Sequence, residues 1–201
     1  SLLAKAPADD VIKIWEALLS KDPSYARDYQ SHHAVLGALI ADGRVLDAEE
    51  HIREYGLLDA DTIWMHMSIP SFYMAVGDLD AAIEYLNRVI DGADRPNMLR
   101  YWNRGLLRLA NGDLAGGWDD YRKRWDWKDF PSPLRKLEIV KWCGESLSGK
   151  SVIISAEQGI GDQIMFGVLI NQVIEMRPKR LRIEVQAKAV ELFKLWYPEA
   201  E

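Results

Sequence analysis

The segment Glu157-Gln158-Gly159-Ile160-Gly161-Asp162-Gln163 places one acid behind two glycines, directly after the apolar run Ser151 to Ser155. A carboxylate at the mouth of such a turn can take a proton from an attacking hydroxyl, and glycines beside it allow close approach to the backbone. On this reading Asp162 is the base, and Glu157, Gln158, Gly159, Gly161 and Gln163 line the substrate. The same aspartate could instead cap the helix that follows, accepting a hydrogen bond from its first turn at a gain of about 1 kcal/mol. The spelling is not the dinucleotide fingerprint, which needs a glycine where Ile164 stands. Nor is it a P-loop, because no Gly-Lys-Ser/Thr follows.

A second group is the ladder Arg100, Arg104 and Arg108, spaced to line one face of a helix. Three guanidiniums in a row could receive an acidic peptide or a phosphate. They could equally pair across a hairpin with Asp113, Asp119 and Asp120. Asp78-Leu79-Asp80 matches the spelling of metal-dependent sugar transferases, but it stands in the repeat turn after Gly77, aligned with Gly112-Asp113-Leu114, and reads as structural. His32, His33, His51 and His66 form no ligand spacing on a helix, and Cys143 has no partner cysteine, so neither a metal centre nor a disulfide is expected.

The elements that would carry these residues show a period. "ADGRVLDAEEHI", "AVGDLDAAIEYL" and "ANGDLAGGWDDY" align without gaps, with Gly43, Gly77 and Gly112 lying 34 and 35 residues apart. Each glycine lets the chain leave one helix in a left-handed turn. Five positions on, Ala48, Ala82 and Gly117 let the next helix approach its partner, and Ile52, Leu86 and Tyr121 follow one turn later. This spacing resembles the tetratricopeptide repeat, with three units over residues 29–128 and "VIKIWEALLSKDP" as the second helix of an earlier one. A mainly α solenoid over residues 1–128 is the expected fold, its repeated faces buried by stacking and its inner surface free to hold a protein or peptide. Trp118, Tyr121 and Trp125, at i, i+3 and i+7, read as core packing or as a ligand platform.

Past residue 128 the helical period stops. Pro131, Pro133, Gly144 and Gly149 mark a connector over residues 129–150. "SVIISA" then has the length and β-branching of a strand covered on both faces, and "LRIEVQ" alternates apolar and polar. A helix from 162 to about 176 between them makes residues 151–201 a strand–helix–strand crossover, the start of a parallel α/β sheet whose ligand side lies just where Asp162 stands.

Taken together, "GDLAGGWDDYRKRW", "VKWCGESLSGKSVIISAEQGIGDQIMF" and "LRIEVQ" resemble the junction of bacterial tetratricopeptide-repeat glycosyltransferases, whose catalytic region is of GT-B type and similar to the heptosyltransferases. The resemblance implies that the last segment is the first βαβ unit of a truncated Rossmann-like acceptor lobe and that Asp162 activates the acceptor. It also implies a nucleotide-sugar donor, with no cofactor and no metal. A two-stranded sheet covers neither its faces nor its edges, so a longer polypeptide, or exchange between copies in a homo-oligomer, is expected. The alternative is a non-enzymatic interaction scaffold, with the α/β part capping the solenoid.

The bulk composition agrees with a folded protein. The chain has 201 residues, 48% of them hydrophobic, and its net charge of −6 makes broad attraction to nucleic acid a poor expectation. No apolar run reaches the roughly 20 residues that cross a bilayer, and no basic-then-apolar leader opens the sequence, so a cytoplasmic location is expected.

Overall fold

Three helices end in the same way. Gly43, Gly77 and Gly112 have φ of 73°, 81° and 88°, the left-handed region that costs any other residue about 1–2 kcal/mol. The next N–H then reaches back to the helix: Arg44 N to Leu39 O, Asp78 N to Tyr73 O and Asp113 N to Arg108 O, each at 2.9 Å. The glycine N–H groups bond Ile40 O, Met74 O and Leu109 O at 3.1–3.2 Å. This pair of bonds satisfies carbonyls that a helix end leaves open and turns the chain sharply. Asp78 and Asp113 then cap the following helices, accepting from Ala81 N and Gly116 N at 2.9 Å. Asp78-Leu79-Asp80 is therefore a turn and cap, with Asp80 accepting from Asn111 Nδ2 at 2.8 Å.

The computed structural model describes residues 7–94, 96–128, 130, 139–157 and 159–201. The chain divides into two units, residues 1–130 and 131–201. In the first, the helices are α1 (Ala8–Lys21), α2 (Tyr29–Ala41), α3 (Val45–Glu54), α4 (Ile63–Ala75), α5 (Leu79–Asp91), α6 (Met98–Ala110) and α7 (Leu114–Arg122). The glycine turns join α2 to α3, α4 to α5 and α6 to α7, and α1 ends at Asp22-Pro23 where the sequence places its boundary. Ala48 and Ala82 are fully buried, and Ile52 and Leu86 join them in one core with Trp15, Leu36, Met65, Ile69 and Tyr85.

Polar groups enter this core in pairs. His32 is fully buried; its Nε2 lies 3.0 Å from Ala26 O and its Nδ1 2.9 Å from His51 Nε2. A carbonyl only accepts, so His32 carries its proton on Nε2, and His51 must donate from Nε2 to the free lone pair of His32 Nδ1. Trp15 and Tyr55 pack on His32 with ring centroids 4.7 and 4.8 Å away. Burial lowers both imidazoles, and it takes His51, which also feels His32, down to about 4. His33 Nδ1 lies 2.7 Å from Ser68 Oγ and ties α2 to α4.

The second unit holds β1 (Ser151–Ser155), α8 (Ile160–Gly167), α9 (Ile170–Glu175), β2 (Arg180–Glu184) and α10 (Val190–Trp196). The strands run parallel with Ser151 opposite Arg180 and Ser155 opposite Glu184. Val152 and Ile154 of β1 and Leu181 and Ile183 of β2 face one core with Ile170, Ala189, Phe193 and Tyr197. The expectation that β1 is covered on both faces is corrected: its three central residues are only half-buried, and Ile153 lies outside that core. Glu201 takes the outer edge of β2, accepting from Ile183 N at 3.0 Å and donating to Leu181 O at 2.9 Å. The chain is thus mainly helical with a small parallel sheet. Among the described residues no helix is long and apolar enough to cross a membrane.

The α6–α7 pair is closest. A Cβ on Gly105 would stand 2.7 Å from Tyr121 N and 3.0 Å from Gly117 O, both backbone atoms. In a free helix interior, glycine to alanine is favourable by about 1 kcal/mol; overpacking a tight contact costs about 1–3 kcal/mol. Gly105→Ala is expected to destabilise by up to about 2 kcal/mol in urea unfolding, and a stabilised variant would refute the contact.

The His32–His51 pair predicts a pH dependence. An unfolded imidazole titrates near its ordinary value of 6.5, whereas folded His51 stays neutral down to about 4. As pH falls the unfolded chain takes up the proton first, so the stability is complete above about 6.5 and is lost between about 6.5 and about 4. His51 contributes at most about 3 kcal/mol of this change. The thermal midpoint should fall across that window, and His51→Gln, which keeps a donor toward His32, should flatten the fall; an unchanged slope would exclude the pair as its source.

Candidate functional site

The arginine ladder is built by α6. Arg104 is 9% exposed and Asp120, on α7, is 2% exposed. Arg104 donates from Nε to Asp120 Oδ2 at 2.7 Å and from Nη2 to Oδ1 at 3.0 Å, a two-point pairing that matches guanidinium to carboxylate. Its Nη1 donates to Asn87 Oδ1 at 2.8 Å. Arg108 Nη1 reaches the same Asp120 Oδ2 at 2.8 Å, and Lys123 Nζ lies 3.4 Å from Oδ1. Burial alone would raise the Asp120 carboxyl, but the Arg104 hydrogen bond and the charges of Arg104, Arg108 and Lys123 carry it below the ordinary carboxylate value.

Arg100 is occupied differently. Its Nη1 donates to Val89 O at 3.0 Å and its Nη2 to Asp61 Oδ1 at 3.1 Å. The three guanidiniums that sequence spacing sets on one face are thus drawn to two separate carboxylates, and of the three acids near α7 only Asp120 holds two of them. Arg108 also lies 3.7 Å from Asp113, while Asp119 pairs with Arg122 at 3.4 Å on the surface. Cations so engaged present little free charge to an incoming anion.

The aromatic stripe that begins on α7 and runs on to Trp125 is divided as well. Trp118 is 42% exposed and meets Tyr121 edge-on at 5.5 Å. The guanidinium of Arg124, 9% exposed, sits 4.2 Å from the Tyr121 ring and 4.4 Å from that of Trp125, a cation held over aromatic faces.

At the glycine turn after β1, the helix begins earlier than the sequence pattern indicates. Gly159 is the N-cap of α8 and Ile160 its first residue, so Asp162 lies in the first turn and does not cap it. Its charge still complements the positive end of the helix. Asp162 is half-buried and, among the described residues, makes no hydrogen bond or ion pair. Gly159 and Gly161 are not in the left-handed region, and a Cβ on Gly161 would meet nothing within 4 Å. Neither glycine is required there by conformation or crowding. Gln163 is buried, and its Oε1 accepts from Gln186 N at 3.0 Å, anchoring the segment after β2. Glu157 is half-buried, and Gln158 lies outside the described residues. The turn places the Asp162 carboxylate beside a helix start.

Sequence spacing missed the grouping of Asp61, His66, Tyr85 and Arg100. Asp61 and Arg100 lie 39 positions apart, and the only sequence signal for their meeting is that they belong to successive repeats.

Comparison with known proteins gives a limited frame. The chain is 24% identical over 198 residues to Protein FlbA of Caulobacter vibrioides, an alignment covering 96% of this chain and 32% of that protein. The chain therefore spans about a third of the length of the curated relative it matches. No family model matches the chain. No solved structure matches it. The resemblance to tetratricopeptide-repeat glycosyltransferases is corrected by these findings: the likeness found is to FlbA, and no glycosyltransferase or tetratricopeptide model supports it. The Gly-Trp, Trp-x-Gly and Gly-x-Gly-Asp spellings that carried the resemblance are short, and several of their residues have local structural duties here.

The Asp120 network sets a stability test. Asp120→Asn leaves the Arg104 charge buried and uncompensated, a change that typically costs about 3–5 kcal/mol. Asp119→Asn, which removes a pair more than two-thirds exposed on both sides, should change urea stability by under about 0.5 kcal/mol. Equal effects of the two substitutions would overturn the assignment of Asp120 as the hub.

Proposed function

We propose that residues 8–128 form a stacked hairpin solenoid of tetratricopeptide period and that it serves as a scaffold for a protein partner, the face of α4 being its principal contact. The observation that carries the reading is an apolar surplus on this helix. One face supplies Met65, Ile69 and Phe72 to the core. Another exposes Ile63, Met67 and Met74 at 38%, 38% and 55%. Positions i, i+4 and i+11 fall on one stripe. A helix apolar on both sides has more hydrophobic surface than its own fold buries, and such a stripe marks a contact for another molecule.

The repeat extends the argument. Met67 occupies the position of His33 in α2 and Trp102 in α6, and Ser71 that of Gly37 and Leu106. Leu106 is 43% exposed. Methionines suit such a surface because their unbranched chains adapt to irregular partners. The paired state of Arg104 and Arg108 favours an apolar contact over one led by an acidic peptide. The βαβ segment is the smaller element of this scaffold.

Photo-crosslinking tests the reading. A benzophenone side chain at Met67 or Met74 should join the chain to one defined protein of the source cell, whereas the same group at Glu84, exposed on α5, should not. With the group at Met67, Met74→Asp should abolish the capture, and with it at Met74, Met67→Asp should do so, neither lowering the thermal midpoint. Equal capture from positions 67 and 84, or none from either, would remove the proposal.

A further inference from the structure

Residues 163–174 contain no ionisable side chain, in a chain that has 31 acidic and 25 basic residues. Within the second unit this run covers most of α8 and α9 and the turn between them. Gln163 and Gly167 are buried, and a Cβ on Gly167 would stand 3.0 Å from the Phe193 ring, so that side of the helix faces the interior. The opposite side is apolar and open. Ile164, Met165, Val168 and Leu169 are between 37% and 60% exposed. Spaced i, i+1, i+4 and i+5, they form one contiguous patch along a helix. Val168 and Leu169 keep helical backbone angles, with φ of −57° and −72° and ψ of −26° and −15°, so the patch is not interrupted where α8 gives way to α9. Asn171 and Gln172, both exposed, stand one turn beyond Val168.

The chemistry of the patch selects its cover. An apolar centre with a polar edge is the anatomy of a protein contact. Charged partners are chosen by opposite charge, and this run offers them none: Asp162 and Glu175 flank it, and nothing between them ionises. A face without charge is instead complementary to itself. Two identical copies related by a two-fold axis bring apolar side chains against apolar side chains, with no like charges opposed at the centre.

We infer that this face of α8 binds the same face of a second copy of the chain, with Met165 and Val168 at the two-fold axis and Asn171 and Gln172 at the solvated rim. Four half-exposed side chains bury less than the roughly 800 Å² per partner of a stable complex, so the dimer is weak and depends on concentration. Each copy carries a net charge of −6, and the two repel at long range. Added salt screens that repulsion and strengthens the dimer, whereas it would weaken one held by ion pairs. The inference does not rest on the α4 stripe, which belongs to the other unit.

Sedimentation equilibrium of the 201-residue chain from about 10 to about 500 µM, the span over which a weak interface fills, should show monomer giving way to dimer. The dimer fraction should rise as sodium chloride goes from about 0.05 to about 0.5 M. Met165→Glu with Val168→Glu should hold the chain monomeric throughout and leave the thermal midpoint unchanged, since both residues are more than half exposed. Met67→Asp should leave dimerisation as it was, so that loss of the α4 contact and loss of this one read separately. In a Cys143→Ser background, which removes the exposed native thiol, a short bis-maleimide should join Met165→Cys to its own copy. It should not join Glu191→Cys, on the exposed surface of α10. A monomer at every concentration would overturn the inference and assign the face to a different molecule. So would a dimer that persists in the double glutamate variant, one that weakens with salt, or equal cross-linking from positions 165 and 191.

Discussion

The distance between paired helices governs this structure, and its tightest expression is the contact of Gly105 with the backbone of α7. Without side chains at Gly105 and Gly117, α6 and α7 approach until backbone atoms set the limit. That approach carries Asp120 beneath Arg104 and Arg108. Buried, the carboxylate could not remain charged alone; bracketed by two guanidiniums and an ammonium, it does. In the other hairpins Ala48 and Ala82 keep one methyl between the helices, and the interior there is filled by apolar and aromatic side chains. The residues at the facing repeat positions, Ile69 and Tyr85 in the second hairpin against Arg104 and Asp120 in the third, set whether a hairpin is held by hydrophobic packing or by a charge network.

Much of this was legible from spacing. The glycines at 43, 77 and 112 announce left-handed turns because no other residue adopts that conformation without strain. The parallel strands follow from a β-branched run and an alternating run separated by a helix. The start of α8 was misplaced because an aspartate after two glycines reads as a cap, whereas the turn closes sooner and Gly159 takes that position. The split of the crossover into α8 and α9 was not legible either. Bonds such as Leu169 N to Phe166 O at 3.0 Å and Gln172 N to Leu169 O at 3.1 Å tighten the helix locally, and no proline or polar break marks the place.

The candidate site was less legible than the fold, for a physical reason. Periodicity states which residues share a face; it does not state what the neighbouring element offers them. Arg100, Arg104 and Arg108 do share a helix, but Asp61 comes from the repeat before and Asp120 from the helix after. Gln163 stands at the glycine turn as expected, yet its amide is held by the backbone of Gln186. Motifs built from glycine, aspartate and glutamine are also the vocabulary of turns and caps, which is why short spellings of that kind suggested a catalytic family that the comparison with FlbA does not support.

Charge is abundant in this chain, but the pairing pattern turns much of it inward or onto neighbouring surface groups. Arg44 bridges Asp9 and Asp47 at 2.6 Å each, and Arg104, Arg108 and Lys123 converge on one acid. Exposed pairs such as those of Arg44 are screened by salt and contribute little to specificity. What the helical unit leaves uncommitted is of a different character: an apolar stripe on α4. Apolar contact gives affinity without much direction, whereas the inward-turned ion pairs fix the position of the helices that carry them.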